Sequence, residues 1–424
     1  MAKRKTAPAE YFGPPRTDDE STAFAHVLAH SFGRTDAEAG GWLATHDREN
    51  VRVLSSGKSV DAGLSLVRMG QYFGGLAVPM VGIQGVGVAP GARGRGVASE
   101  LMVQTLRELH TEGTPLSTLY PANQTLYRRL GYEQAGHRFE VRIPLHRIGA
   151  RASMRSADGL TVREARVAEQ GGSDVAARVR QVASVFAATC QGSLERNELL
   201  WKRIELPPPT RTEPSRLFLI ERGNVLEGYV FLTQTVTPTG AGAGRYDVFV
   251  QDMAAITPRA INRLWAFLAG YSTVGNDLVW MTGPANPLLV ALPEQTYKPM
   301  TLRDHWMLRI VDMKCAMTHR GWPRGLDARL TLRITDDILR ANSGAWSLSV
   351  SDGRARVRKL EGGGKPRGAA IKCDIGALST LYAGFMSAQQ LAMVERVEGS
   401  PDALELASAA FASTRGVPML TDMF

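Results

Sequence analysis

Between Val86 and Ala98 the chain reads Val-Gly-Val-Ala-Pro-Gly-Ala-Arg-Gly-Arg-Gly-Val-Ala. A β-branched run stops at Pro90, and a basic, glycine-rich turn follows it. From Val97 the apolar residues Val97, Leu101, Met102, Leu106 and Leu109 recur at helix spacing. A helix that starts at Gly96 leaves its first backbone N–H groups without internal partners. Its dipole points the same way, so this end attracts anions. Gly94 and Gly96 let an oxygen approach the main chain with no Cβ in the way, and Arg93 and Arg95 add positive charge. Such a spacing can cradle a pyrophosphate.

The elements that must position this cradle come before and after it. Ala23–His30 and Ala39–Thr45 read as short helices, the second carrying Trp42, and Arg52–Ser55, Gly63–Val67 and Val81–Val88 read as strands. In the last strand the apolar residues change parity, from Val81 and Ile83 to Val86 and Val88. A strand switches faces only by taking in an extra residue, so a bulge is expected near Gly85. Such a bulge leaves main-chain N–H groups unpaired and splays the strand from its neighbour. Beyond the helix, Leu116–Tyr120 reads as a strand and Pro121–Gln124 as a helix-entry turn. The segment Leu126-Tyr127-x-x-Leu130-Gly131-Tyr132 follows, and Phe139–Pro144 is expected to close the sheet.

Nucleotide loops of several folds share glycines, so the order matters. A Rossmann loop wants Gly-x-Gly-x-x-Gly, and a P-loop wants Gly-Lys-Ser/Thr; neither is present. The Arg93-Gly94-x-Gly96-x-Ala98 order resembles the acetyl-coenzyme A loop of the GCN5-related N-acetyltransferases (GNAT). Gly91 stands where that family usually has Gln or Arg. The resemblance implies that acetyl-CoA is held by Val86, Gly87, Val88, Arg93, Gly94, Arg95, Gly96, Val97, Ala98 and Ala122. It implies a general-acid role for Tyr127, whose proton goes to the coenzyme A sulfur, whereas Tyr132 is expected to pack in the core.

At 424 residues the chain calls for two to four domains. No apolar run is long enough to span a bilayer, and the basic start, Met1–Glu10, is followed by no apolar core of a secretory signal. Three widely spaced cysteines, Cys190, Cys315 and Cys373, favour free thiols in a reducing cytoplasm and make no metal site. The formal charge of +9 is scattered and accompanied by no nucleic-acid motif, so neither nucleic acid nor membrane is expected as a partner.

After an expected linker at Arg151–Gly159, strand-like runs at Thr161–Ala165, Leu217–Glu221, Gly228–Thr233 and Tyr246–Ala254 precede a helix at Pro258–Ala269 and a strand at Asp277–Met281. This repeats the first unit in outline but lacks the Arg-Gly-x-Gly loop. The triplet Pro207–Pro209 and the run Gly240–Gly244 read as loops. From Asp304 onwards an alternating meander and two helices resemble a sterol-carrier-protein-like domain. The expected class is therefore α/β (α+β), with a catalytic acetyltransferase domain at 1–150, a copy without a cofactor loop at 151–304 and the carrier-like domain at 305–424.

This order, with Asp304-x-Trp306-x-x-Arg309-x-x-Asp312 and a terminal Phe424, resembles the Eis (enhanced intracellular survival) N-acetyltransferases. The resemblance implies a hexamer in which the free α-carboxylate of Phe424 reaches the first domain's active site, and a substrate pocket near Phe32 and Trp42. Acetyl transfer needs a neutral amine, a polarised carbonyl and a proton for the thiol. The N–H of Val88 is the expected donor to the carbonyl oxygen. A phenol near pKa 10 against a thiol near 8.5 makes proton transfer uphill by about 2 kcal/mol. Deprotonating an amine near 10.4 at pH 7 costs about 4–5 kcal/mol, so a carboxylate can only orient and relay.

Family members acetylate aminoglycosides in an acidic pocket. Here Met423 replaces the acid before the terminal Phe, and Gly33-Arg34-Thr35 stands where another acid is expected; Asp36 and Glu38 are the acids left to compensate. The acceptor is therefore a primary amine, with aminoglycosides, protein lysines and small metabolic amines as alternatives. A reading of another class keeps the last domain as a lipid or sterol carrier beside a vestigial acetyltransferase.

Overall fold

The computed structural model describes residues 11–57, 59–149, 159–165, 172–205, 215–236, 245–298, 300–360 and 368–424. The expected linker, apart from Gly159, and the expected loops at 207–209 and 240–244 lie outside the described residues.

The first unit opens with β1 (Tyr11–Gly13), α1 (Asp18–Phe32) and α2 (Asp36–Leu43). Thr17 and Thr35 cap the two helices, each side chain accepting the N–H three residues on, and Glu38 closes a capping box with Thr35. A meander follows: β2 (Val51–Ser56), β3 (Ser59–Phe73) and β4 (Leu76–Val88). After the glycine loop, α3 (Val97–Thr111) buries the stripe Val97, Leu101, Met102, Leu106 and Leu109 against the sheet. Burial of each large apolar side chain is worth about 1.5–3 kcal/mol, so this stripe fixes where the helix points. Then come β5 (Leu116–Leu119), parallel to β4, α4 (Gln124–Arg129) and β6 (Glu133–Pro144).

The second unit comprises β7 (Thr161–Ala165), α5 (Gly172–Ala187), β8 (Leu194–Glu195), α6 (Glu198–Glu205), β9 (Arg216–Arg222), β10 (Val225–Val236) and β11 (Tyr246–Ala255). It continues with α7 (Pro258–Ala269), β12 (Gly275–Thr282), α8 (Pro287–Val290) and β13 (Thr301–Ile310). One sheet of 13 strands runs through both units in the order β1-β2-β3-β4-β5-β13-β6-β12-β11-β10-β9-β7, with β8 paired to β3.

Two expectations change here. Phe139–Pro144 does not close a sheet: β6 lies in its middle, between β13 and β12. The segment from Asp304, read as the opening of a carrier-like domain, belongs to β13, which fills the gap between β5 and β6 and runs across the 304/305 junction. The reason is visible in the burial of Trp306, Met307, Leu308, Arg309 and Ile310, which are covered on both faces. Such a run belongs inside a sheet, not at its edge.

The last unit is α9 (Met313–His319), β14 (Ala328–Thr335), β15 (Gly344–Ser351), β16 (Arg354–Lys359), β17 (Ala370–Asp374), α10 (Ile375–Ala383), α11 (Ala388–Met393), β18 (Val397–Gly399) and α12 (Pro401–Phe411). Its five-stranded sheet has the order β16-β15-β14-β17-β18. Arg309 ties this unit to the first. Fully buried, it donates to both oxygens of Asp336 at 2.8 and 2.9 Å and to the carbonyl of Leu130 at 2.9 Å, at the end of α4. Asp304 pairs with Arg138, and Asp312 caps α9, so the spaced Asp-Trp-Arg-Asp pattern is a set of structural anchors.

Candidate active site

The expected bulge is present in β4. Ser65 pairs with Gln84 and Gly63 with Gly87, so three steps of β4 span two of β3, and Gly85 adopts φ +62°. Only glycine takes this left-handed conformation without strain. Ala89 donates its N–H to Asp61, on the β3 side. Alternation along the strand therefore turns the N–H of Val88 to the opposite edge. Among the described residues no strand covers that edge, because β4 pairs with β5 only at Met80–Gly82. The two parallel strands part beyond Gly82, and the result is a fork with an unpaired donor on one prong.

At the mouth of the fork, α3 begins directly after Gly96, which has φ +86°, and among the described residues no side chain caps this end. A Cβ at Gly94 or Gly96 would meet no atom within 4 Å, so both face open space. A groove of about 410 Å³ lies here, lined by Val88, Arg93, Gly94, Gly96, Val97 and Ala98 from the predicted set. Val86, Gly87, Arg95 and Ala122 are not among its lining residues. Gly87 instead faces Val27 and Ser31 of α1, each 3.2 Å from where its Cβ would stand. The groove gains Asn123, Thr125 and Leu126 from the start of α4 and Arg129 from its end. Sequence reasoning missed these four: of the helix-entry turn it assigned only Ala122 to the cofactor, although the signal lay in that turn and the helix it opens. The open helix end, the glycines and the adjoining cations fit a linked diphosphate.

Helix α7 occupies the matching place in the second unit and is closed. The Thr257 side chain accepts the N–H of Ala260, Pro258 offers no N–H, and the Glu227 carboxylate accepts from both Thr257 and Arg259. An anion of the chain's own already sits at that helix end.

Tyr127 lies in α4, buried, with its ring 6.0 Å from that of Tyr132. Among the described residues its hydroxyl makes no hydrogen bond to the protein, and burial pushes its pKa up to about 12. Tyr132 is fully buried and shares a 2.7 Å hydrogen bond with Ser117. The free phenol is the one able to serve a ligand.

The chain's end is threaded into the fork. Gln191 and Met419 bond main chain to main chain, His137 brackets residues 418–420, and Arg138 donates to the Thr421 carbonyl. Asp422 is held by Arg196 at 2.6 Å, and Arg196 also grips Asp252 through two hydrogen bonds. Tyr120, partly buried and with its pKa raised by desolvation, donates to the Asp422 carbonyl at 2.6 Å. These anchors deliver Phe424, 8% exposed, to the point where β4 and β5 part.

Around the fork stand residues of α1, α2, β4 and α6 and of the turn after α2. The ring of Trp42 packs on Gly85, 2.6 Å from where a Cβ would be, and lies 4.4 Å from the His46 ring. Phe32, the other predicted pocket residue, is half exposed at the end of α1. Gln84 links His46 to Arg203 of α6, and Arg203 also donates to the Met423 carbonyl. Burial, with Arg203 nearby, holds the His46 pKa below its ordinary value, so its Nε2 is an acceptor for the Gln84 amide while Nδ1 donates to the Trp42 carbonyl. His46, Gln84 and Arg203 were not found from sequence, because nothing local marks residues that meet only through the sheet. Asp36 and Glu38 are both engaged: Asp36 with His26, Glu38 with Thr35. Asp36, His26 and His46 also line a groove of about 690 Å³ between α1 and α2.

The likeness to known proteins covers the same ground. Two stretches, residues 15–135 and 192–310, match models of the acetyltransferase (GNAT) domain, and residues 313–420 match the sterol carrier protein domain. A crystal structure of a GCN5-related N-acetyltransferase from Anabaena variabilis superposes with a TM-score of 0.86 at 30% identity, over 98% of this chain and 100% of that one. N-acetyltransferase Eis of Mycobacterium tuberculosis is 28% identical over 358 residues, 82% of this chain and 81% of its own. An uncharacterised N-acetyltransferase of Streptomyces griseus is 28% identical over 380 residues, 88% of each chain.

Proposed function

The chain belongs to the GCN5-related N-acetyltransferases of the Eis type, and from that membership we propose that it acetylates a primary amine at the β4–β5 fork, with acetyl-CoA as donor. Acetyl-CoA supplies an activated carbonyl and a thiol leaving group. Gly94, Gly96 and the open end of α3 receive its diphosphate, with Arg93 adding charge and Val88, Val97 and Ala98 lining the groove beside it. The N–H of Val88 polarises the carbonyl from the uncovered strand edge. Tyr127 donates to the sulfur as charge builds there. With its pKa near 12, full transfer to a thiol near 8.5 is uphill by about 5 kcal/mol, so the phenol acts first as a strong hydrogen-bond donor and gives up its proton late. The α-carboxylate of Phe424 attracts the amine's ammonium form and relays its proton. Trp42 and Phe32 wall the acceptor side.

The observation that carries this reading is the uncapped start of α3 opening on the groove that α4 also lines. Aminoglycosides, protein lysines and metabolic amines are the acceptor classes to compare. The free thiols at Cys190, Cys315 and Cys373 support a reducing cytoplasm, and a hexamer rests on the family resemblance. The test is thiol release from acetyl-CoA across an amine panel. Release that depends on an amine is expected; no release with any amine would overturn the proposal.

A further inference from the structure

Arg203 is a cation without a counter-anion at the acceptor side of the fork. It reaches in from α6 of the second unit and is held from two sides: Nη2 donates to Gln84 Oε1 at 3.2 Å and Nη1 to the Met423 carbonyl at 3.4 Å. Gln84 is fixed in turn by His46, and His46 by the Trp42 carbonyl, so the guanidinium is oriented through a chain of hydrogen bonds. Among the described residues no carboxylate forms an ion pair with it, the terminal carboxylate of Phe424 included. Burial lowers its pKa with no anion to offset the cost. The acids nearest the tail are taken: Asp422 and Asp252 by Arg196, Asp304 by Arg138. A guanidinium keeps its charge in proteins and presents five N–H donors, of which two are used here.

Arg203 is partly buried, and a charge drawn part-way out of water with no opposite charge bonded to it is held at a cost. An arginine held in place without its anion is therefore preorganised for one that arrives with a ligand. The planar fork suits a carboxylate, which it can take through two parallel hydrogen bonds. Its distance from the terminal carboxylate is also informative. The guanidinium bonds the carbonyl one residue before the chain's end, which places the two charges on the order of 5–8 Å apart. A substrate whose ammonium sits at the Phe424 carboxylate would thus present its own anion to Arg203 a few bonds away.

We propose that the acceptor is an amine that carries a carboxylate on the same molecule, of the amino-acid or short-peptide class, and that Arg203 binds this carboxylate. The proposal rests on the acetyltransferase reading and names the substrate class of that same site. Met423, 56% exposed, is the side chain that flanks this position on the tail, and it adds no negative charge to repel such a group.

The experiment uses the full chain and matched acceptor pairs: glycine, 4-aminobutyrate and lysine, each against its own amide, with cadaverine as the amine without a carboxyl group. Thiol release from acetyl-CoA is followed for the wild type, Arg203→Ala, Arg203→Glu and Arg203→Lys. In at least one pair the wild type should favour the acid over its amide by tenfold or more in kcat/KM, mostly through KM. That preference should vanish in Arg203→Ala, reverse in Arg203→Glu and return in part in Arg203→Lys, with acetyl-CoA binding unchanged. If Arg203 only braces the tail, the variants lose turnover equally on acids and amides, and the proposal is overturned. Amides or cadaverine matching the acids in the wild type would overturn it as well, while leaving the acetyltransferase reading intact. Failure of that reading looks different: no amine supports thiol release and acetyl-CoA does not bind.

Discussion

A Cβ at Gly82 would stand 2.6 Å from Cε2 of the Phe424 ring, so Phe424, beside Met69, fills the space that glycine leaves where β4 and β5 part. The two residues are 342 positions apart in sequence and meet because β13 locks the last unit onto the sheet. Amidating the C-terminus, or extending it by one glycine, should leave the ring seated but remove or displace the carboxylate. Turnover should fall at least tenfold while acetyl-CoA binding persists, read by steady-state kinetics beside equilibrium binding. Unchanged turnover would take the carboxylate out of the reaction.

Tyr127→Phe keeps the buried ring and removes the phenol of this pair that, among the described residues, has no hydrogen-bond partner. General-acid groups typically contribute 10²- to 10⁴-fold, so kcat should drop by about 100-fold with little change in affinity for acetyl-CoA. Because burial lifts this phenol to about 12, the wild-type enzyme should show no loss of kcat from its ionisation between pH 8 and about 10. A fall centred near pH 9 would point to a different group.

Arg309→Ala should destabilise the protein by about 3–5 kcal/mol, since it strands Asp336 in the core and frees the Leu130 carbonyl at the end of α4. A shift of the urea midpoint measures it. Arg309→Met, paired with Asp336→Leu, should recover much of the loss, as apolar replacement of a buried pair often does.

His46 supplies a pH-dependent term. Its pKa is held below 6.5 in the folded protein, so the unfolded chain binds the proton more readily. The folded state therefore has its full stability above pH 6.5 and loses part of it as pH falls through the lower folded value. Replacing His46 by Gln should flatten this dependence; equal acid sensitivity of variant and wild type in thermal melts would refute the assignment.

Much of the first unit was legible because its signals are local. The parity change between Ile83 and Val86 became the bulge at Gly85, and the apolar spacing from Val97 became α3. The place of β13 was not legible, since a strand inserted between β5 and β6 leaves only a run of buried residues, which suits many sites in a sheet. His46 lies in the turn after α2, Gln84 on β4 and Arg203 on α6, and their hydrogen bonds depend on how two units pack. The groove residues Asn123 and Thr125 at the entry of α4, and Arg129 at its end, carry no motif of their own. Locally encoded geometry can be read from sequence, but meetings across the sheet require the fold.

The central claim is that one diphosphate-bearing thioester binds per chain, at the open end of α3 and not at the closed end of α7. Calorimetric titration of the full chain with acetyl-CoA tests it most directly, beside a Gly96→Val variant that must adopt φ +86° with a branched side chain in the cradle. The account predicts one molecule per chain in the wild type and binding at least tenfold weaker in the variant. No uptake, two molecules per chain, or equal affinity in the variant would contradict it.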